Sequence, residues 1–371
     1  MIVNSIDPSC KKDLTSYLEV PYTLSRKNSD WFPALRSSVA FDLSPRHPFY
    51  EHSEAAFFTC GNPARPSGRI AVMANRNFND YHNIRHAFFT HFDCVDDPAV
   101  AQALFDAAAG WAASRGLCRL TGPVGFLQTD ARGLMISGHG MMTSFALPCT
   151  LPYYSALMQA CGFVKRCDYL SGELKSGFRI SKRVEQMAQR MMERSEAALC
   201  SGKSRRSLRR LGEHFLEIYK ESGSSAPLYY PLTPGEKNCI LNRLCKTVHP
   251  KLIHWLEKNN RICGVHIALP NYMEALRRAG SGRLARMAAF MRQRAKPREI
   301  NITTTYLNPE SQGRGLNLIL YAACQQTALQ IGCRRGLVGP VHEKNTATLK
   351  VLKKTGVKFN ICHRLFEREI T

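Results

Sequence analysis

One order of elements occurs twice in this chain, and that repetition limits the possible folds more than any other feature. From Glu54 the pattern reads as a hairpin, AAFFTC and GRIAVMAN around the turn-rich GNPARPSG, followed by the strand HAFFTHFDCV. A helix follows in VDDPAVAQALFDAAAGWAASRG, bounded by Asp96, Asp97 and Pro98 at its start and by Gly116 at its end. The strand CRLTGPVGF, the short helix PYYSALMQACG and the strand FVKRCDYL complete the set. Near the C-terminus the order returns. KLIHWLEKNNRICGVHIAL reads as a hairpin about Asn259-Asn260, INITTTYL as a strand and GLNLILYAACQQTALQIG as a helix. RRGLVGPV, NTATLKVLKKTG and VKFNICHRLFEREI then read as strand, helix and strand. Local wording repeats too: GPV stands at Gly122–Val124 and at Gly339–Val341, and LMQACGFVKRC matches VLKKTGVKFNIC in its leucine-to-glycine spacing. This predicts a tandem duplication of one α/β unit, an α+β fold with a mixed sheet.

The expected divisions are residues 1–53 as an N-terminal extension capping a neighbouring surface, 54–175 as the first unit and 176–371 as the second. Residues 272–298 form a basic helical insertion, with Leu276, Leu284, Met287, Phe290 and Met291 among its arginines. Thr233 with Glu236 reads as a capping box opening a helix between the units.

Charge separates the halves. The 371 residues carry a net charge of +22, all of it within residues 151–371, since residues 1–150 hold 13 basic and 13 acidic side chains. The second half expects an anion. Fourteen cysteines without a CxxC, and no HExxH, argue against a metal site, and the opening MIVNSIDPSCKKD has no apolar signal segment. A cytoplasmic protein with reduced thiols is the expectation. No run of about 18 apolar residues exists, so a bilayer span is not expected.

The sharpest local signal is LNPESQGRGLNLILYAA, Leu307–Ala323. A strand ends, a short glycine-bearing loop follows, and an apolar helix begins, so the N–H groups of Gly313, Arg314, Gly315, Leu316 and Asn317 converge at a helix N-terminus. This pattern suits an anion cradle that a pyrophosphate can approach closely, and a lone glycine loop of this length is equally at home as a tight turn. In the first unit VDDPAV stands at the same place, and two carboxylates would repel a phosphate.

These residues resemble a signature of the acyl-CoA N-acyltransferase (GNAT) superfamily, V-x-P-x-x-[QR]-G-x-G-x-[GA]. Leu307, Pro309, Gln312, Gly313, Arg314 and Gly315 take its places, and Asn317 stands where Gly or Ala is usual. A second signature, N-x-x-x-x-x-x-Y-x-K-x-G-F, resembles Asn345–Val357, with Lys354 and Gly356 in register and Leu352 in place of the tyrosine that serves many such enzymes as general acid. Residues 54–371 more narrowly resemble the tandem-domain GNAT proteins that include bacterial ceramide synthases, in blocks such as GRIAVMANRNFNDYH, LPYYSALMQACGFVK and VHEKNTATLKVLKKTGVKF. The resemblance implies two tandem GNAT-like domains, the first degenerate and the second binding acyl-CoA as co-substrate through Leu307, Gln312, Gly313, Arg314, Gly315, Leu316, Asn317 and Asn345.

It further implies transfer of an acyl group to an amine, with a long-chain amine such as a sphingoid base as acceptor. Glu343 is expected as base or amine-orienting carboxylate, His342 as the second candidate and Tyr306 as the acid. The same residues have structural uses: Glu343 as a helix cap, His342 as an ordinary histidine at a strand end, Tyr306 as packing. CoA accounts for the sign of the charge but not its size. An anionic membrane surface, touched peripherally, and an acyl carrier protein are the expected further partners, ahead of nucleic acid. The competing functions are a catalytically silent tandem protein binding an anionic partner, and an amino-acid- or aminoacyl-tRNA-linked acyltransferase.

Overall fold

A computed structural model describes the chain except residues 26–30, 32, 142, 143, 145, 146, 175–181, 224, 225, 280–282 and 371. The first unit begins at the start of the chain. It runs β1 (Val3–Ser5), α1 (Lys11–Ser25), α2 (Arg36–Asp42), the hairpin β2 (Glu54–Asn62) and β3 (Arg65–Ala74), then α3 (Arg76–His82) and β4 (His86–Cys94). It continues with α4 (Pro98–Ala113), β5 (Arg119–Gly122), a short β6 (Leu134–Ser137), α5 (Tyr154–Ala160) and β7 (Val164–Leu174). After a linking helix α6 (Lys182–Ser195) come β8 (Ala198–Ser201), α7 (Arg205–Gly223), α8 (Pro234–Thr247), β9 (Ile253–Lys258) and β10 (Arg261–Pro270). The rest is α9 (Met273–Arg278), α10 (Arg283–Ala295), β11 (Glu299–Leu307), α11 (Leu316–Gln330), β12 (Arg335–His342), α12 (Thr346–Lys354) and β13 (Val357–Glu369).

The expected α/β architecture with a mixed sheet is present as one continuous sheet, ordered β1-β2-β3-β4-β5-β13-β7-β12-β11-β10-β9-β8, with β6 beside β13. Within each unit the strands are antiparallel except for one pair, β4 with β5 and β11 with β12, each bridged by a helix. The expectation for residues 1–53 needs correction. β1 pairs with the outer edge of β2 as β8 pairs with β9, so this segment supplies the first strand and helices of unit one. Its prolines and aromatics hid that role, because α1 contains Pro21 and carries only a thin buried stripe of Tyr17, Val20 and Pro21.

The units also exchange their last strands. β7, from unit one, lies against β12 of unit two, and β13, from unit two, lies against β5 of unit one, with β7 and β13 paired at the centre. The expected boundary between residues 175 and 176 falls outside the described residues. Short-range expectations fare well. Asn259 and Asn260 both adopt positive φ in a two-residue hairpin loop closed by Lys258 and Arg261, and Thr233 with Glu236 forms the reciprocal capping box.

Several histidines are buried in neutral form. Burial lowers His254 and His363 to about 4 and His266 to about 3. An unfolded histidine titrates near 6.5, so below that pH the unfolded chain binds more protons and stability falls, at up to ~1.4 kcal/mol per pH unit for each. Asp42, raised to about 7 by burial and by Asp130, has the opposite sign and offsets only part of this. The urea midpoint is therefore expected to drop steeply between pH 6.5 and 4.5, less so in His254→Asn. A midpoint unchanged over that range would contradict the neutral burial of these rings.

Candidate active site

The site is built where β11 and β12 part. Their pairing runs from Glu299↔Arg335 to Ile302↔Val338 and stops, while β11 continues to Leu307 and β12 to His342. A wedge opens between them, and at its rim β11 feeds the glycine loop. Asn308 N donates to Cys263 O (3.0 Å), and Ser222 Oγ donates to Leu307 O (2.6 Å), which fixes the loop's entry. Gln312 Nε2 also donates to Leu307 O (3.1 Å), so this side chain braces the loop from within.

Gly313 (φ +73°) and Gly315 (φ +74°) are both left-handed, a conformation that glycine adopts without strain. Gly315 is the N-cap of α11 and no side chain caps the helix. Among the described residues, no protein acceptor meets the N–H groups of Gly313, Arg314, Gly315, Leu316 or Asn317. These N–H groups and the positive end of the helix dipole are thus free for an anion, and Arg314 is exposed beside them. Met191 of α6 packs over Gly315, where an added Cβ would lie 2.5 Å from its Cε.

Unit one shows what a closed version looks like. The N-cap of α4 is Asp97, whose carboxylate accepts from Ala99 N at 2.8 Å, so the chain's own anion caps this helix. The helix–sheet gap behind it is packed with rings: Phe89 lies 5.3 Å from Phe105 and 5.5 Å from Phe163. In unit two the gap beneath α11 and α12 contains an apolar cavity lined by Ile302, Tyr321, Val338, Leu352, Thr355 and Val357. Counted from Gly162 and Gly356, residues Leu352, Thr355 and Val357 correspond to Met158, Cys161 and Phe163.

The three expected catalytic residues do not converge. Glu343 turns outward: its carboxylate takes Lys165 Nζ at 2.7 Å and Asp168 N at 3.0 Å, and the Lys165 contact holds its pKa below the usual range. Asp168 in turn holds Arg364 in two bonds of 2.8 and 3.0 Å. The helix cap at this point is Asn345, whose Oδ1 accepts from Thr348 N, so its side chain is committed to α12. His342 faces the other way, its ring 5.2 Å from that of Tyr169, its cross-strand partner on β7. Burial lowers the His342 pKa, and Nδ1 accepts from Lys344 N, which assigns the ring proton to Nε2. Tyr306 packs on Phe215 and Tyr219 of α7.

Arg132 lies over the Tyr169 ring, with its guanidinium carbon 5.7 Å from the ring centroid. Its guanidinium acts electrostatically on Tyr169, Tyr219 and Tyr306 and donates to Gln128 O. Arg132 and Tyr169 belong to unit one, and neither carried a motif that could mark it in the sequence; only the fold brings them to the wedge of unit two. Below α11, Tyr321 faces Thr305 and Asn317, and Thr305 Oγ1 meets His266 Nδ1 at 2.8 Å. Among the described residues no cluster could hold a metal ion, and no helix is long and apolar enough to cross a membrane.

Residues 214–357 match the family described as acetyltransferase (GNAT). This match lies within the second unit. The match ends where β13 begins, at the strand that crosses to unit one. A tandem GNAT protein from the clavulanic acid biosynthesis pathway superposes with a TM-score of 0.58 at 9% identity, covering 100% of this chain and 98% of its own. A GCN5-related N-acetyltransferase from Sphaerobacter thermophilus gives 0.52 at 12% identity, over 100% and 95%. The chain thus has a tandem GNAT fold. Among curated proteins, the bacterial ceramide synthase of Caulobacter vibrioides is 23% identical over 96% of this chain and 95% of its own length. Protein YghO of Escherichia coli is 24% identical over 72% of this chain and 68% of its own.

Proposed function

We propose that this protein is an acyl-CoA-dependent N-acyltransferase in which only the GNAT domain of unit two binds acyl-CoA, and that its acceptor is a long-chain amine of the sphingoid-base class. The observation that carries the reading is the contrast between the two helix N-termini: uncapped beside a left-handed glycine loop in unit two, self-capped by Asp97 in unit one. The pyrophosphate sits at Gly313–Asn317 and the pantetheine arm enters the wedge between β11 and β12. The name of the Caulobacter relative supports the acceptor class.

In the transfer, the amine nitrogen forms a C–N bond to the thioester carbonyl, the C–S bond breaks, the nitrogen gives up its proton to solvent water, and the thiolate takes one from an acid that solvent reprotonates. His342, with its proton on Nε2, and Tyr306 line the acceptor side, where they orient the amine. Glu343, held by Lys165, fixes the rim between β12 and α12 and does not take the proton. Leu352 has no proton to give, but Tyr321 brings a hydroxyl-bearing ring to the cavity that Leu352 lines, and it is the proton source for the thiolate. Glu343→Gln is expected to leave kcat within a few-fold, whereas Tyr321→Phe lowers it by about a hundredfold, the usual scale for a lost general acid. The reverse order would return the proton chemistry to Glu343. The reading as a whole is tested by incubating the full chain with long-chain acyl-CoA and a panel of amines, following thiol release and amide formation by mass spectrometry. Failure both to bind acyl-CoA and to release thiol would end it.

A further inference from the structure

Helix α10 turns an apolar face outward. Leu284, Met287 and Met291 are 86%, 58% and 49% exposed, and their spacing of three and four places them on one side of the helix with Ala288 and Ala295. The opposite side is fastened to the domain. Phe290 stacks on Tyr272 with ring centroids 4.4 Å apart, Gln293 Nε2 donates to Asn271 O at 2.8 Å, and Arg294 Nη2 donates to Cys245 O at 3.1 Å. The outward face is therefore not a packing surface that slipped loose. Its helix is held in place with the wrong side out for water.

Charge selects the partner. From Tyr272 to Arg298 the chain has eight Lys and Arg and one acid, Glu274, which pairs with Arg277 and Arg278, and Arg292, Lys296 and Arg298 are exposed. Two copies of this face would set like charges against each other, and a nucleic acid would leave the three large apolar side chains without a partner. An anionic bilayer satisfies both, taking the apolar side chains below its headgroups and the cations among them. We infer that the outer face of α10 docks the protein on an anionic lipid surface. The helix lies at the start of β11 and the glycine loop at its end, so docking leaves the anion cradle clear. The inference does not depend on which acceptor the site takes.

The test is co-sedimentation of the full chain with phosphatidylglycerol vesicles and with phosphatidylcholine vesicles, at low and high salt. Binding is expected to phosphatidylglycerol, weakening with salt, and to fall at least about tenfold in Leu284→Ser/Met287→Ser/Met291→Ser. Arg292→Glu/Lys296→Glu, which leaves the apolar side chains in place, should weaken it as well. Acyl-CoA binding and the thermal midpoint should not change in either variant. Equal binding by the wild type and both variants would overturn the inference. So would a wild-type dimer that the serine variant converts to a monomer, since the face would then join two copies.

Discussion

Gly315→Glu is expected to abolish acyl-CoA binding while the protein remains folded. Two effects act together. The residue has φ +74°, so any side chain costs ~1–2 kcal/mol in the left-handed region. Its Cβ would also meet the Met191 thioether, a flexible chain end that can move aside. The larger effect is electrostatic: a carboxylate at this point caps the N–H groups that the proposed pyrophosphate takes, much as Asp97 caps α4. Gly315→Ala carries the strain and the contact without the charge, and so separates the two. In the wild type, acyl-CoA at a hundred times its Kd should stabilise the fold by ~2.7 kcal/mol, read as a rise of several degrees in Tm. The rise should vanish in Gly315→Glu and persist, reduced, in Gly315→Ala. A full rise in Gly315→Glu would place the nucleotide elsewhere. Asp97→Ala, the mirror experiment in unit one, should cost ~1 kcal/mol as a lost cap and leave acyl-CoA binding untouched.

These variants rest on features that were readable in the sequence, because each is local. The Asn259-Asn260 turn, the Thr233–Glu236 box and the loop at Gly313–Gly315 are set by conformational preferences spanning a few residues, and neighbours in sequence settle them. The residues that complete the wedge are not of that kind. Arg132 and Tyr169 reach Tyr306 and His342 only because the last strands of the two units change places, and no spacing along the chain encodes an exchange. The first strand was hidden for a related reason. β1 is three residues long and has meaning only beside β2. Glu343 illustrates a third limit: its position beside Asn345 was legible, but its commitment to Lys165, 178 residues earlier, was not.

The exchange itself makes the largest prediction. Unit two without unit one lacks β7, the strand between β12 and β13, and unit one without unit two lacks β13, the strand that covers β5. β13 also delivers Phe366 and Leu365 into two cores built mainly by unit one, and these side chains are 2% and 0% exposed. Withdrawing them costs ~2 kcal/mol each in burial alone, and the ladder between β7 and β13 is lost as well, along with the Arg364–Asp168 and Arg166–Glu367 pairs that lace it. Such losses are of the order of a whole domain's stability, about 5–15 kcal/mol. Fragments 1–177 and 178–371 expressed separately are therefore expected to aggregate or remain unfolded, since each exposes an unpaired strand edge. Produced together, they should recover a one-to-one complex with a single cooperative melt and with acyl-CoA binding. If fragment 178–371 alone gave a monomer with a sharp melt and bound acyl-CoA, the units would be independent domains, and Arg132 and Tyr169 would have no part in the site.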